Sequence, residues 1–198
     1  ERFRSFLAES VTEVGQIRDY IEECLRNTGG QYDRALQDLV NHLGTFLGFK
    51  VEYGRYRGIK GEIGFDGFWT SETGIYVVVE VKTTEAFAIK TSDLTGYVDE
   101  LISEKQIPSW GSALGLYVIG KPDPELKQLE NAIVNEKRTD QLRIISVDSL
   151  LSLAELMNNY DVEHQDIMSV LRPSGPMIDP IIELMNRLMA APQPQAET

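Results

Sequence analysis

The sequence predicts an α/β fold in which helices flank a mixed β-sheet, and three observations carry that prediction. Two helical stripes precede any strand signal. Three short β-rich runs then follow one another, separated by turn residues, and after them helical and strand patterns alternate until a helical C-terminal stretch.

Taking the elements in order, apolar residues at Val11, Val14, Ile17, Ile21 and Leu25 recur at helical spacing and stop at Asn27-Thr28-Gly29-Gly30. A second stripe runs through Leu36, Leu39, Val40, Leu43 and Leu47 to Gly48, a residue suited to a helix C-cap. Val51 to Tyr56, Glu62 to Thr70 and Ile75 to Thr83 read as an antiparallel meander, divided by Gly58 and by Ser71 to Gly74. Thr91-Ser92-Asp93 offers N-caps for a helix to Glu104 whose apolar face is Leu94, Tyr97, Val98 and Leu101, with Pro108 beyond its end. Ala113 to Ile119 reads as a strand, Asp123-Pro124 opens a helix to about Lys137, and Leu142 to Val147 gives a last strand. Helices are expected over Leu150 to Asn158, Glu163 to Leu171 and Asp179 to Met189, divided by Pro173-Ser174-Gly175-Pro176.

The 198 residues suffice for one core without disulfides or structural metal. At 42% apolar and 25% charged the chain falls in the soluble class, and no apolar run is long enough to span a bilayer. With no basic-then-apolar pattern at its start, export is not expected, and the lone Cys24 fits a reducing, cytoplasmic compartment. A first residue other than Met and a tail of Ala191-Pro192-Gln193-Pro194-Gln195 suggest a piece of a longer polypeptide. The net charge of -12 argues against a basic coat, yet Lys50, Arg55, Arg57 and Lys60 against Glu52 give +3 over residues 50–60, so a local basic patch can exist.

The chemistry concentrates in Tyr76-Val77-Val78-Val79-Glu80-Val81-Lys82. Its apolar run has the character of a central strand, where Glu80 and Lys82, one pleat apart on a single face, are costly unless compensated. If the preceding hairpin is symmetric about Thr73, Asp66 lies opposite Glu80. Two facing carboxylates call for a cation between them, and Mg²⁺, satisfied by one or two carboxylates and several waters, is the natural choice. Lys82 is then placed to orient water and offset phosphate charge. The bland alternative is a same-face ion pair of Glu80 with Lys82, and a one-residue slip in register would send Asp66 to the other face.

Gly64-Phe65-Asp66 followed after thirteen residues by Glu80-Val81-Lys82 resembles the bipartite signature of the PD-(D/E)XK superfamily. The resemblance covers roughly residues 31–147. It implies a three-layer restriction endonuclease-like core, with a mixed sheet centred on an antiparallel hairpin, here followed by a C-terminal helical extension. It also implies that Asp66, Glu80 and the Val81 carbonyl bind Mg²⁺, for which Mn²⁺ can substitute, and that Lys82 assists the attacking water. Phe65 stands in place of the family's proline. Gln37 stands where many members carry a helix glutamate, with Asp38 or Asp33 as substitutes. The resulting division is an N-terminal helix in 1–30, the nuclease-like core in 31–147, the helical extension in 148–190 and a tail in 191–198.

The expected activity is Mg²⁺-dependent endonucleolytic cleavage of nucleic acid, with DNA as the preferred substrate and a restriction or antiviral defence setting taken from the resemblance alone. A competing expectation is a catalytically inactive module of the same fold that binds nucleic acid or assembles with proteins. Arg55, Arg57 and Lys60 are candidate contacts to a phosphate backbone, as are Lys90 and Thr91; an ordinary solvated strand and turn is the alternative. Ile167, Leu171, Met177, Ile181, Ile182 and Leu184 are expected to pack on the body or on a second subunit. His42 and His164 lack partners at zinc spacing, no phosphate-binding loop motif occurs, and Trp69 and Trp110 read as core or edge aromatics.

Overall fold

The structure, a computed structural model, describes residues 2–27, 29–56, 63–83, 90–121, 126–172 and 184. Its elements are α1 (Arg2–Ser10), α2 (Val14–Arg26), α3 (Gly30–Phe46), β1 (Lys50–Tyr53), β2 (Gly67–Thr70), β3 (Tyr76–Lys82), α4 (Thr91–Ser103), β4 (Ala113–Ile119), α5 (Leu126–Asn135), β5 (Leu142–Ser146), α6 (Val147–Asn159) and α7 (His164–Leu171). A short 3₁₀ turn, Trp110–Ser112, leads into β4.

The five strands lie in the order β1-β2-β3-β4-β5. β1, β2 and β3 are antiparallel neighbours, as the meander reading requires, and β3, β4 and β5 run parallel, joined by crossovers through α4 and α5. β3 is therefore the central strand. Alternate residues feed two apolar layers: Val77, Val79 and Val81 pack with α1, α2, α3, α6 and α7, whereas Val78 packs with Leu94, Val98 and Leu101 of α4 and Leu129 and Ile133 of α5. β4 is buried along its whole length. This is an α/β fold of three layers.

The region read as one N-terminal helix, 1–30, holds two, and its first residues, ahead of the apolar stripe, form α1. Its Leu7 is wholly buried in the same layer as Ile17 and Ile21 of α2. The break before α2 is held by a capping box in which Gln16 Oε1 accepts from the backbone N–H of Glu13 and of Thr12. The strands are shorter than their β-rich runs. β1 stops at Tyr53 because Gly54 lies against the chain before β2; a Cβ there would come within 2.0 Å of the Phe65 carbonyl oxygen. The last strand ends one residue early, since Ser146 accepts from the Ser149 N–H and turns Val147 into the first residue of α6. The helix expected over Asp179–Met189 lies outside the described residues except for Leu184, as do the Asp123-Pro124 helix start and the tail. Ile167 and Leu171 of α7 pack on the body of the chain, where His164 bridges Ser71 Oγ at 2.7 Å and the Leu47 carbonyl at 2.6 Å. No described helix is long and apolar enough to cross a membrane.

Candidate active site

The end of β3 is where a buried apolar strand turns polar. Glu80 and Lys82 share the face of Val78, toward α4, and lie in register with Tyr117 and Ile119 of β4. Lys82 Nζ donates to Glu80 Oε1 at 2.5 Å. Paired positions of β2 and β3 follow Gly67 with Val79 and Phe68 with Val78, so the hairpin has the symmetric register and Asp66 precedes the ladder at the position facing Glu80.

Asp66 ends that ladder with its side chain. Its N–H donates to the Val79 carbonyl at 3.0 Å, and its Oδ2 accepts from the Val81 N–H at 2.7 Å. β2 begins only at Gly67, so the carboxylate serves a strand donor that a longer β2 would have met with a carbonyl. Burial, and then the charge of Glu80, push the Asp66 carboxyl up to about 7, against the opposing pull of the Val81 N–H and of Lys82. Glu80 is also raised, by burial first, with Lys82 opposing and Asp93 adding to it. These two carboxylates therefore lie close enough for each to feel the same ammonium.

The Asp66 backbone is held from the opposite layer. Its carbonyl accepts from the Gly54 N–H at 2.9 Å, from Asn41 Nδ2 at 2.9 Å and from Gln37 Nε2 at 3.3 Å. Asn41 is wholly buried and takes the Trp69 indole N–H on its Oδ1 at 2.8 Å. Gln37 thus reaches the site only through the main chain of Asp66. Asp38 is occupied elsewhere: Oδ1 accepts from Arg4 Nε at 2.8 Å and Oδ2 from the Tyr56 hydroxyl, while Arg4 also donates to the Gly54 carbonyl at 2.8 Å. α3 packs in the layer of Val79 and Val81, across the sheet from the side chains of Glu80 and Lys82, so neither residue supplies a carboxylate to them.

Among the tentative phosphate contacts, Arg55 is exposed on the wall of a groove of about 320 Å³, where the other charged residues, Glu52 and Glu104, are acidic. Lys90 is exposed at the start of α4, and its carbonyl accepts from the Tyr117 hydroxyl at 3.1 Å. Thr91 is buried and donates to Glu136 at 2.5 Å. Arg57 and Lys60 lie outside the described residues. Sequence reasoning did not single out Asp93 and Tyr97 of α4 or Asn41 of α3. The charge of Glu80 raises the Tyr97 phenol, after burial, and that of Asp93 raises it further. The signal for Asn41 was a polar residue one turn after Gln37 within an otherwise apolar helical stripe.

Whether this donor set suits a metal ion is testable on its own geometry. Glu80 Oε2 is shielded from solvent and has no hydrogen-bond partner among the described residues. An ionised oxygen in that position lacks several kcal/mol of hydration, on the order of 2–7 kcal/mol even for a neutral polar group. With Asp66 it offers two hard oxygen donors against one ammonium. Two carboxylates are a number that Mg²⁺, which keeps most of its waters, can use, and among the described residues no group of three or more His, Cys, Asp and Glu converges.

No family model and no curated protein matches the chain. Among solved structures it is similar to the restriction endonuclease FokI bound to DNA, with a TM-score of 0.58 and 18% identity over 85% of this chain and 32% of that one. At such identity the likeness shows the fold alone, a restriction endonuclease-like α/β fold, and the chain spans about a third of the protein it resembles.

Proposed function

We propose that this chain is a Mg²⁺-dependent endonuclease domain of the PD-(D/E)XK type, hydrolysing phosphodiester bonds of DNA, with restriction or antiviral defence as its setting. The observation that carries the reading is the buried Glu80 Oε2, without a hydrogen-bond partner among the described residues, beside a second buried carboxylate, Asp66. Asp66, Glu80 and the Val81 carbonyl would hold the ion, with Mn²⁺ as a substitute. The bound cation would supply Lewis-acid polarisation of the phosphodiester and neutralise charge as it develops.

The chain's own residues provide the rest. Lys82, fixed against Glu80 at 2.5 Å, brings an ammonium to the side of the carboxylates where a phosphate must approach, and offsets the charge of that phosphate while orienting the attacking water. Asp66 keeps its carboxylate aligned through the Val81 N–H. Exposed Arg55 and Lys90, together with Arg57 and Lys60, would contribute backbone contacts whose strength falls with salt. Likeness to a DNA-bound restriction enzyme supports DNA over RNA. The two-site requirement of duplex cleavage supports a homodimer or a longer polypeptide as the active form.

A second reading, a catalytically inactive module of the same fold, is favoured by one observation: the buried α3 carboxylate, Asp38, is engaged by Arg4 and Tyr56. Plasmid nicking separates the two. Wild type should nick in Mg²⁺ and not in EDTA, and Glu80→Ala and Lys82→Ala should both lose this activity. Identical traces from all three proteins in Mg²⁺ would support the inactive module.

A further inference from the structure

The most unusual feature outside the carboxylates is a main-chain oxygen with three donors. The Asp66 carbonyl accepts from Gly54 N–H, Asn41 Nδ2 and Gln37 Nε2, although a carbonyl has two lone pairs. Two of these donors are side chains sent across the sheet from α3, from positions where apolar residues would otherwise pack. Burying two amides in a core is costly unless each is satisfied. Asn41 is satisfied on both ends, since its Nδ2 also donates to the Gln37 carbonyl at 2.9 Å and its Oδ1 accepts from Trp69. The surroundings are shaped to it: a Cβ on Gly67 would stand 2.0 Å from Asn41 Oδ1, and a Cβ on Gly54 would stand 2.6 Å from the Asp66 carbonyl oxygen.

We propose that Asn41, seconded by Gln37, is the positioning residue of the site: by clamping the Asp66 carbonyl it fixes the direction in which the Asp66 carboxylate leaves the chain. Asp66 lies just outside β2, where its N–H still donates to the Val79 carbonyl and its carbonyl still accepts from the Gly54 N–H. The two α3 amides add side-chain donors to that backbone pairing at the one carbonyl oxygen. The clamp's output is the 2.7 Å bond from the Val81 N–H to Asp66 Oδ2, which ties that amide to the β2 side. The reach of the clamp into metal affinity rests on the proposal above that Asp66 is a ligand.

The test uses the whole chain in two arms. In the metal-free protein, amide hydrogen exchange at Val81 is followed by NMR in wild type, Asn41→Ser, the milder Gln37→Met, and Leu43→Ala, a truncation in the same helix that removes none of these hydrogen-bonding groups. Exchange at Val81 is expected to rise roughly ten-fold more than at Val78 in Asn41→Ser, and less in Gln37→Met. It should rise no more than at Val78 in Leu43→Ala, although that variant melts earlier. In the second arm, Mn²⁺ titration by calorimetry should show affinity about ten-fold weaker for Asn41→Ser and near wild type for Leu43→Ala. Val81 exchange in Asn41→Ser that matches the Leu43→Ala pattern would overturn the clamp. A responsive Val81 in a wild type that takes up no Mn²⁺ would leave the clamp standing and sink the metal reading instead.

Discussion

Replacing Asp66 by Asn isolates what the candidate site costs the fold. The Asp66 carboxyl is displaced from 3.8 to about 7, chiefly by burial and then by Glu80. Three pKa units correspond to about 4 kcal/mol of difference between the protonation states. The sign follows from proton uptake. Between pH 3.8 and 7 the folded chain holds a proton that the unfolded chain has released, so this contribution to stability is fully present below about pH 4 and is lost as pH rises through 7. The amide introduced by Asp66→Asn cannot ionise, and its oxygen still accepts from the Val81 N–H. The attraction of the carboxylate to Lys82 is lost, so only part of the ceiling is recoverable. In EDTA, Asp66→Asn should therefore be more stable than wild type by about 1–3 kcal/mol at pH 8.5, roughly 3–10 °C in melting temperature, and equal to it near pH 4. Denaturant unfolding at both pH values reads this directly. A variant no more stable at pH 8.5, or stabilised equally at both, would refute the argument that buried ionised charge strains the site.

Lys82→Met removes the ammonium that compensates Glu80; the pair is partly exposed, so a loss of about 1–2 kcal/mol is expected at pH 8, shrinking as pH falls and the raised Glu80 carboxyl takes up a proton, measured by urea unfolding. Gly54→Ala drives a Cβ to 2.0 Å from the Phe65 carbonyl oxygen and should cost about 3 kcal/mol, visible as a lowered urea midpoint. A chain beginning at residue 31 loses Leu7, Val14, Ile17 and Ile21 from the layer beneath β3 and is expected to show no cooperative melt by near-UV circular dichroism. Arg4→Met, which takes the cation from the buried Asp38 and leaves it the Tyr56 hydroxyl, should destabilise by about 1–3 kcal/mol in the same assay used for Lys82→Met.

The three-strand meander, the helix–strand alternation after it and the register that sets Asp66 against Glu80 were legible because side-chain alternation and turn position are local properties of the sequence. Strand ends were not. β1 stops where Gly54 meets the chain around Asp66, and β2 starts late because the Asp66 side chain takes over a main-chain role; both depend on a contact between segments about a dozen residues apart. The supporting shell was hidden for a related reason. Gln37 and Asp38 read as stand-ins for a helix carboxylate, yet whether a residue of α3 meets a side chain or only a backbone oxygen depends on which layer the helix occupies. Arg4 belongs to a helix whose pattern was too short to register, and it joins the Asp38 ion pair from the far end of the chain.

The central claim is that Asp66 and Glu80 share a divalent cation. Crystals of the chain soaked in Mn²⁺ test it most directly through anomalous scattering. One peak within about 2.0–2.3 Å of an oxygen from each carboxylate is the expected result. Density at other surface carboxylates, with none between these two in a fully soaked crystal, would contradict it.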